Sequence, residues 1–289
     1  MKVAILTDTN SGIFTPDENA GLFVLPMPIV IGDSTYYEGE NLSEKELCQF
    51  MEQGEKVTTS QPPIGLLMDK LDTILADGFE EVVYIPMSGS LSSSCHTAQM
   101  VAKEYGGKVH VADNRRISVT QKDSVMDALR LAQKKVGGKK IARILEEDSA
   151  NSTIYLSVSL LEQLKKGGRI SPSAAAIATV LSIKPVLTFR GEKFDAYEKV
   201  RGSMYRAQLK MIDALHKDVD RRYSKVDPGR IRIGVAGFGI DEGEKERWLE
   251  LAANAFPLAD VRYDPLPASV GAHTGAGAYG VGITIEGKV

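Results

Sequence analysis

The sequence carries no excess of positive charge: 35 lysines and arginines face 38 aspartates and glutamates, a formal net charge of -3. Binding through a phosphate backbone needs a strong basic field, so nucleic acid is excluded as the main partner. Cysteine is scarce too, with only Cys48 and Cys95 in 289 residues. Neither sits in a C-x-x-C or metal-ligand spacing, so a reducing, cytoplasmic compartment and two packing thiols are expected. Long apolar runs are missing. The longest, Leu22 to Ile31, is too short to span a bilayer and contains Pro26 and Pro28, so no stable membrane insertion is expected. There is no G-x-x-x-x-G-K-[ST] loop, no metal-ligand cluster, no repeat and no low-complexity linker. No cofactor or metal is expected.

An apolar fraction of 43% and a charged fraction of 25% are ordinary for a folded, water-soluble protein. The length favours two domains over one core. Val3 to Leu6 reads as a buried strand within reach of Met1, so no signal peptide is expected, and the sequons at Asn41 and Asn151 read as chance matches.

The first half alternates strand and helix signals. Strands are predicted at Val3 to Thr7, Glu81 to Pro86 and Lys108 to Ala112, with a proline-interrupted extended segment at Leu22 to Ile31. Helices are predicted at Glu44 to Gln53, behind the Ser43/Glu46 capping box, and from Pro62-Pro63 to Ala76, Ser92 to Glu104, Val119 to Val136 and Ile141 to Glu147. That alternation predicts a parallel sheet covered on both faces. The second half predicts a strand at Thr153 to Val158 and a small-residue helix at Pro172 to Leu181. A hairpin follows across Arg190-Gly191, then a long helix from Ser203 to Arg222 with Leu209, Ile212, Leu215 and Val219 on one face. Strands from Ile231, Asp260 and Gly280 and a helix from Glu242 complete it. The fold class is therefore α/β: an N-terminal three-layer α/β/α domain with a parallel sheet (1–151), then a C-terminal two-layer α/β domain with a mixed sheet (152–289). A ligand cavity is expected between or within them.

Several segments have the composition of a site, each with a plainer alternative. Ser88 to Ser94 joins a strand to a helix, where hydroxyls and free N–H groups suit an anion or simply cap the helix. Thr58-Thr59-Ser60-Gln61 stands in the same relation to the next helix. Two such clusters at the carboxyl edge of parallel strands are where ligands gather. Asp8-Thr9-Asn10 and Asp113-Asn114 read as scaffold. Arg169 follows the helix stop Gly167-Gly168, as a capping cation or as a bidentate partner for a carboxylate. Gly275 to Gly280 matches G-x-G-x-x-G but runs into a strand, which does not fit a dinucleotide fingerprint. It reads instead as a backbone loop that admits a close approach beside His273. His96, His110 and His216 read as surface or satisfied positions, and Arg221-Arg222 as complements of a helix dipole.

Taken together, the segments resemble the DegV family, the fatty-acid-binding subunits of bacterial fatty acid kinase. The resemblance covers nearly the whole chain: T-D-T at Thr7, T-S-Q-P at Thr59, L-S-S-S at Leu91, L-K-K-G-G-R-I-S at Leu164, I-K-P-V-L at Ile183, K-V-R at Lys199 and H-T-G-A-G-A-Y-G at His273. It implies that Thr59 and Ser92, with Ser60 and Ser93 beside them, hold the acid's carboxylate. Arg169 and His273 stand behind them, and Arg201 lies on the face that meets the kinase. The chain departs from the family pattern at Pro63, Ser93 and Ser94, in the head-group loops. It also departs at Ala276 in the last glycine loop and at Gly202, beside the docking residue.

The implied function is to hold a long-chain fatty acid and present its carboxylate to a separate kinase that supplies ATP and makes the acyl phosphate, in service of phospholipid synthesis. The chain itself would catalyse nothing and is expected to be a monomer. A tail needs apolar space, for which the Ala174, Ala175, Ala176, Ile177 and Ala178 run offers small side chains, and a buried carboxylate needs donors or a cation. Two other readings remain at this point: a stand-alone phosphotransferase or hydrolase built on His273 and the serine loop, and a regulatory module that senses a lipid without passing it on.

Overall fold

Alternate residues of the first strand face opposite ways, and both faces are apolar, so the strand must be sandwiched. The computed structural model, which describes residues 2–159, 161–177 and 182–287, shows that sandwich. In chain order the first elements are β1 (Val3–Asp8), β2 (Leu22–Leu25), β3 (Pro28–Ile31), β4 (Ser34–Tyr37), α1 (Glu44–Glu52), β5 (Val57–Thr59), α2 (Ile64–Ala76), β6 (Glu81–Ile85), α3 (Ser94–Ala102), β7 (Val109–Val111), α4 (Ser118–Gln133) and α5 (Gly138–Glu147). The remainder are β8 (Ser152–Ser157), α6 (Glu162–Gly167), α7 (Pro172–Ala175), β9 (Ile183–Phe189), β10 (Asp195–Arg201), α8 (Met204–Arg222), β11 (Ile231–Phe238), α9 (Glu242–Ala255), β12 (Asp260–Pro265), α10 (Ala268–Thr274) and β13 (Ala278–Ile285).

Strands β2-β1-β6-β7 form a parallel sheet in that order. Ala4 and Leu6 pack under Leu67, Leu71 and Ile74 of α2 and Ala98 and Val101 of α3. Val3 and Ile5 pack against Val125, Ala128 and Leu129 of α4 and Ile141 and Leu145 of α5. These are the three layers.

The second sheet is mixed, in the order β10-β9-β8-β13-β11-β12, with β11 and β12 parallel and the other pairs antiparallel. One face is covered by α8 and α9 through Met211, Leu215, Trp248 and Ala252. Much of its other face is covered too. Leu156, Leu187, Phe189, Ala236 and Phe238 pack there with Ile117 and Val119 at the start of α4, and with Leu164, Ala174 and Ala268 of the short helices. Helix α4 therefore serves both sheets. Its polar side faces the second one, where Asp123 accepts from Arg262 Nη2 (2.7 Å) and Thr284 Oγ1 (2.6 Å), and Asp127 from Arg232 Nη2 (2.8 Å).

Several sequence expectations need correction. The Leu22–Ile31 segment splits at its prolines. β2 joins the parallel sheet, while β3 pairs with β4 and β5 in a separate antiparallel sheet. Leu209 is 41% exposed, whereas Ile212 and Leu215 are buried beside Ala207 and Met211. Arg222 does more than complement a dipole: it donates to Thr153 Oγ1 and the Ala150 carbonyl and pairs with Asp218 at 3.8 Å. The helix expected over Pro172 to Leu181 is seen as α7 alone; Ala178 to Leu181 lie outside the described residues.

Candidate functional site

Thr59 owes its position to β5, where register pairs it with the fully buried Ile29 of β3. Its hydroxyl lies 2.8 Å from His273 Nε2. His273 is not in a loop, as the glycine density suggested, but in the last turn of α10, and Gly275 ends that helix with φ 74°. The helix packs against α6, against β3 and β5 of the small sheet, and against β11. Burial, with the Arg169 charge adding to it, pushes the His273 imidazole down from 6.5 to about 4, so it is neutral at pH 7.

Arg169 follows α6, whose C-cap is Gly168 in the left-handed region at φ 69°. Its neighbour Gly167 is required for a different reason: a Cβ there would stand 2.8 Å from His273 Nδ1. The two glycines thus let the arginine turn back over the histidine. Arg169 Nε donates to the Leu91 carbonyl at 3.2 Å and Nη1 to the Gly167 carbonyl, which aims the guanidinium at the serine turn.

That turn precedes α3, which starts at Ser94, two residues later than expected. Ser92 Oγ accepts from Ser94 N at 3.2 Å, and Ser93 Oγ donates to Gln61 Oε1 at 3.1 Å, tying the second hydroxyl cluster to the first. Thr59, Ser60, Ser92, Ser93, Arg169 and His273 all line one cavity of about 280 Å³. Arg201 does not line it; it is exposed at the end of β10.

Sequence reasoning missed much of the wall. Met27, Met87, Leu91, Ile117, Leu164, Phe194 and Val270 supply apolar surface. Ile117, Phe194 and Val270 also line a separate, smaller cavity of about 20 Å³ with Val119, Ile154 and Leu156. Ala174 to Ile177, the run expected to make room for a tail, are not among the lining residues. Asn10, for which the sequence suggests a scaffold role, also lines the cavity. Its Nδ2 donates to buried Asp8 at 2.9 Å, which leaves Oδ1 to accept from Ser269 Oγ at 2.7 Å. Burial pushes the Asp8 carboxyl up, while donors from Met87, Asn10 and Gln121 pull it back.

The glycine loop admits a close approach, but by the protein's own chain. A Cβ on Gly277 would stand 2.7 Å from Ser159 Oγ, and Gly277 N donates to the Phe238 carbonyl at 2.9 Å. Cys48 is half-buried and Cys95 buried, and burial pushes their thiols up, to about 11 and about 12. Among the described residues no group of three or more His, Cys, Asp or Glu side chains is placed to hold a metal. No helix among them is long and apolar enough to cross a membrane.

Comparison with known proteins gives a consistent picture. The family model described as "Uncharacterised protein, DegV family" matches residues 2–286. A DegV domain-containing protein of Deinococcus radiodurans is 28% identical, over 98% of both chains. A fatty-acid-binding DegV family protein of Thermus thermophilus superposes with a TM-score of 0.86 at 26% identity, covering 99% of this chain and 100% of the other. A fatty-acid-binding DegV family protein of Streptococcus agalactiae does so with a TM-score of 0.85 at 27% identity, covering 99% and 100%.

Proposed function

The chain belongs to the DegV family, and from that premise we propose that it binds a long-chain fatty acid and presents the carboxylate to a separate ATP-dependent kinase, which forms the acyl phosphate. The observation that carries the reading is the polarity of the cavity. Hydroxyls of Thr59 and Ser92, the Arg169 cation and a neutral His273 line the same cavity as Met27, Met87, Leu91, Ile117, Leu164 and Phe194. Each kind of lining suits one half of an amphiphile. Burying a methylene is worth about 0.8 kcal/mol, so a C16 to C18 tail supplies on the order of 10 kcal/mol before entropy costs. The carboxylate, which cannot be buried bare, takes hydrogen bonds from Thr59 and Ser92 with Arg169 balancing its charge.

In this reading the chain contributes position. Holding one carboxylate oxygen at Thr59 and Ser92 while the tail is sequestered turns a dilute, membrane-seeking substrate into an oriented nucleophile for the partner. Ser60 and Ser93 complete the hydroxyl rim, and Arg201 at the end of β10 is the candidate contact for the kinase. The chain acts as a cytoplasmic monomer without a cofactor.

Mass spectrometry of an organic extract of the purified protein tests the ligand. A fatty acid at one equivalent is expected, and a clean, empty preparation counts against binding. Adding a fatty acid kinase with ATP and magnesium should then yield acyl phosphate, trapped as the hydroxamate. Retained acid without acyl phosphate would favour a lipid sensor, and ADP released by the chain alone would favour an enzyme.

A further inference from the structure

Helix α10 has little of its own to hold it in place. Seven residues form too few intrahelical bonds to be stable alone, and its N-cap, Pro267, gives the first turn no side-chain acceptor. The amide of Ala268 donates instead to Glu38 Oε2 at 2.7 Å, a carboxyl from 230 residues earlier in the chain. Glu38 directly follows β4. At the other end of the helix His273 meets Thr59, which ends β5 of the same three-stranded sheet. That sheet therefore grips α10 at both ends, and the Ser269–Asn10 hydrogen bond fixes it between them.

The grip matters because Ser269, Val270, His273 and Thr274 of this helix all line the main cavity, whereas Glu38 does not. Close by, Glu44 Oε1 accepts from Gly239 N at 2.8 Å, so two carboxyls from the β4–α1 segment clasp backbone amides of the second sheet's connections. We propose that Glu38 is a positioning residue: by capping α10 from outside the cavity it sets where His273 stands against Thr59, and so how tightly a ligand carboxylate is held. The functional half of this assignment rests on the fatty-acid reading; the geometric half does not. Burial pushes the Glu38 carboxyl up to about 8, opposed by the Ala268 hydrogen bond and aided by Glu44. Near neutral pH it is thus mostly protonated, and glutamine, which keeps a carbonyl acceptor, is its close mimic.

The test is NMR of the ¹⁵N-histidine-labelled full chain, with the His273 signal assigned by its loss in His273→Gln, alongside palmitate titration of the delipidated protein. Glu38→Ala is expected to shift the His273 imidazole resonances and weaken palmitate about tenfold, the scale of a lost helix cap. Glu38→Gln should restore both, and Glu40→Ala, which removes an exposed neighbouring carboxylate, should change neither. Unmoved His273 resonances in folded Glu38→Ala overturn the proposal. If that variant does not fold, Glu38→Asp, whose shorter arm falls short of Ala268, takes its place and the same result overturns it. Failure of the wild type to take up palmitate sinks the fatty-acid reading, while the imidazole comparison still decides the role of Glu38.

Discussion

Thr59 and His273, 214 residues apart in the chain, meet at 2.8 Å where the small antiparallel sheet touches the last turn of α10. The contact brings residues from the two halves of the sequence together in the wall of the cavity. A neutral imidazole there gives the threonine hydroxyl a fixed partner and leaves the positive charge to Arg169.

The buried histidine predicts a pH effect on stability. Its folded value is about 4 against 6.5 for the exposed side chain. The unfolded chain therefore takes up a proton first as pH falls, and the stability gained by keeping His273 neutral is whole above 6.5 and lost on the way down through 4. Carboxylates titrate in the same window, so the comparison must be with His273→Gln. Thermal melts between pH 7 and 4 should show a steeper decline in the wild type; parallel curves would mean the imidazole is not held neutral.

Thr59→Ala and Ser92→Ala should each weaken binding of a long-chain fatty acid by roughly 1.5–3 kcal/mol, the range for hydrogen bonds to a charged group. The two effects need not add, because both hydroxyls act on one carboxylate and Thr59→Ala also leaves His273 without its partner. Competition binding with a fluorescent fatty acid measures this. Undiminished affinity in the double variant would remove both hydroxyls from the site.

Much of this was legible in the sequence because it follows local grammar. The hydroxyl clusters before α2 and α3 announce themselves as strand-to-helix turns, and the alternation of short apolar strands with helices fixes the layered class. Helix α10 was not legible: it has seven residues, no side-chain N-cap, and a small-residue composition that looks like the glycine loop that follows it. The β3–β4–β5 sheet was hidden as well, since its strands have three or four residues and the pairing of Ile29 with Thr59 spans α1. Glu38 carries no sequence signal of its own, since its partner, the Ala268 amide, comes from the far end of the chain. What the sequence concealed, in each case, depends on partners distant along the chain.

Glu38 titrates with the opposite sense to His273. Its folded value of about 8 stands above the ordinary 4.5, so the folded state keeps a proton that the unfolded chain gives up. The stability is whole below 4.5 and is lost as pH rises toward 8. Glu38→Gln, which has no proton to lose, should therefore exceed the wild type in urea midpoint at pH 8, with the gap closing toward pH 4.5. A constant gap across that range would place the titration elsewhere.

The polar contact between α4 and the second sheet should be costly to break from one side. Asp123 is buried, which pushes its carboxyl up, and Arg262 is the foremost charge pulling it back, helped by the Thr284 hydroxyl and Arg232. Arg262 also holds Asp264 through Nε at 2.9 Å and the Val119 carbonyl at 3.1 Å. Arg262→Leu strands Asp123 without its main counter-charge, and removing one partner of a buried pair typically costs about 3–5 kcal/mol. Arg262→Leu with Asp123→Leu removes both charges and should recover a large part of that loss, because the penalty lies in the uncompensated carboxylate more than in the missing pair. Urea unfolding of the two single variants and the double closes the cycle. A double variant no more stable than Arg262→Leu alone would show that the arginine works through Asp264 and Val119 instead.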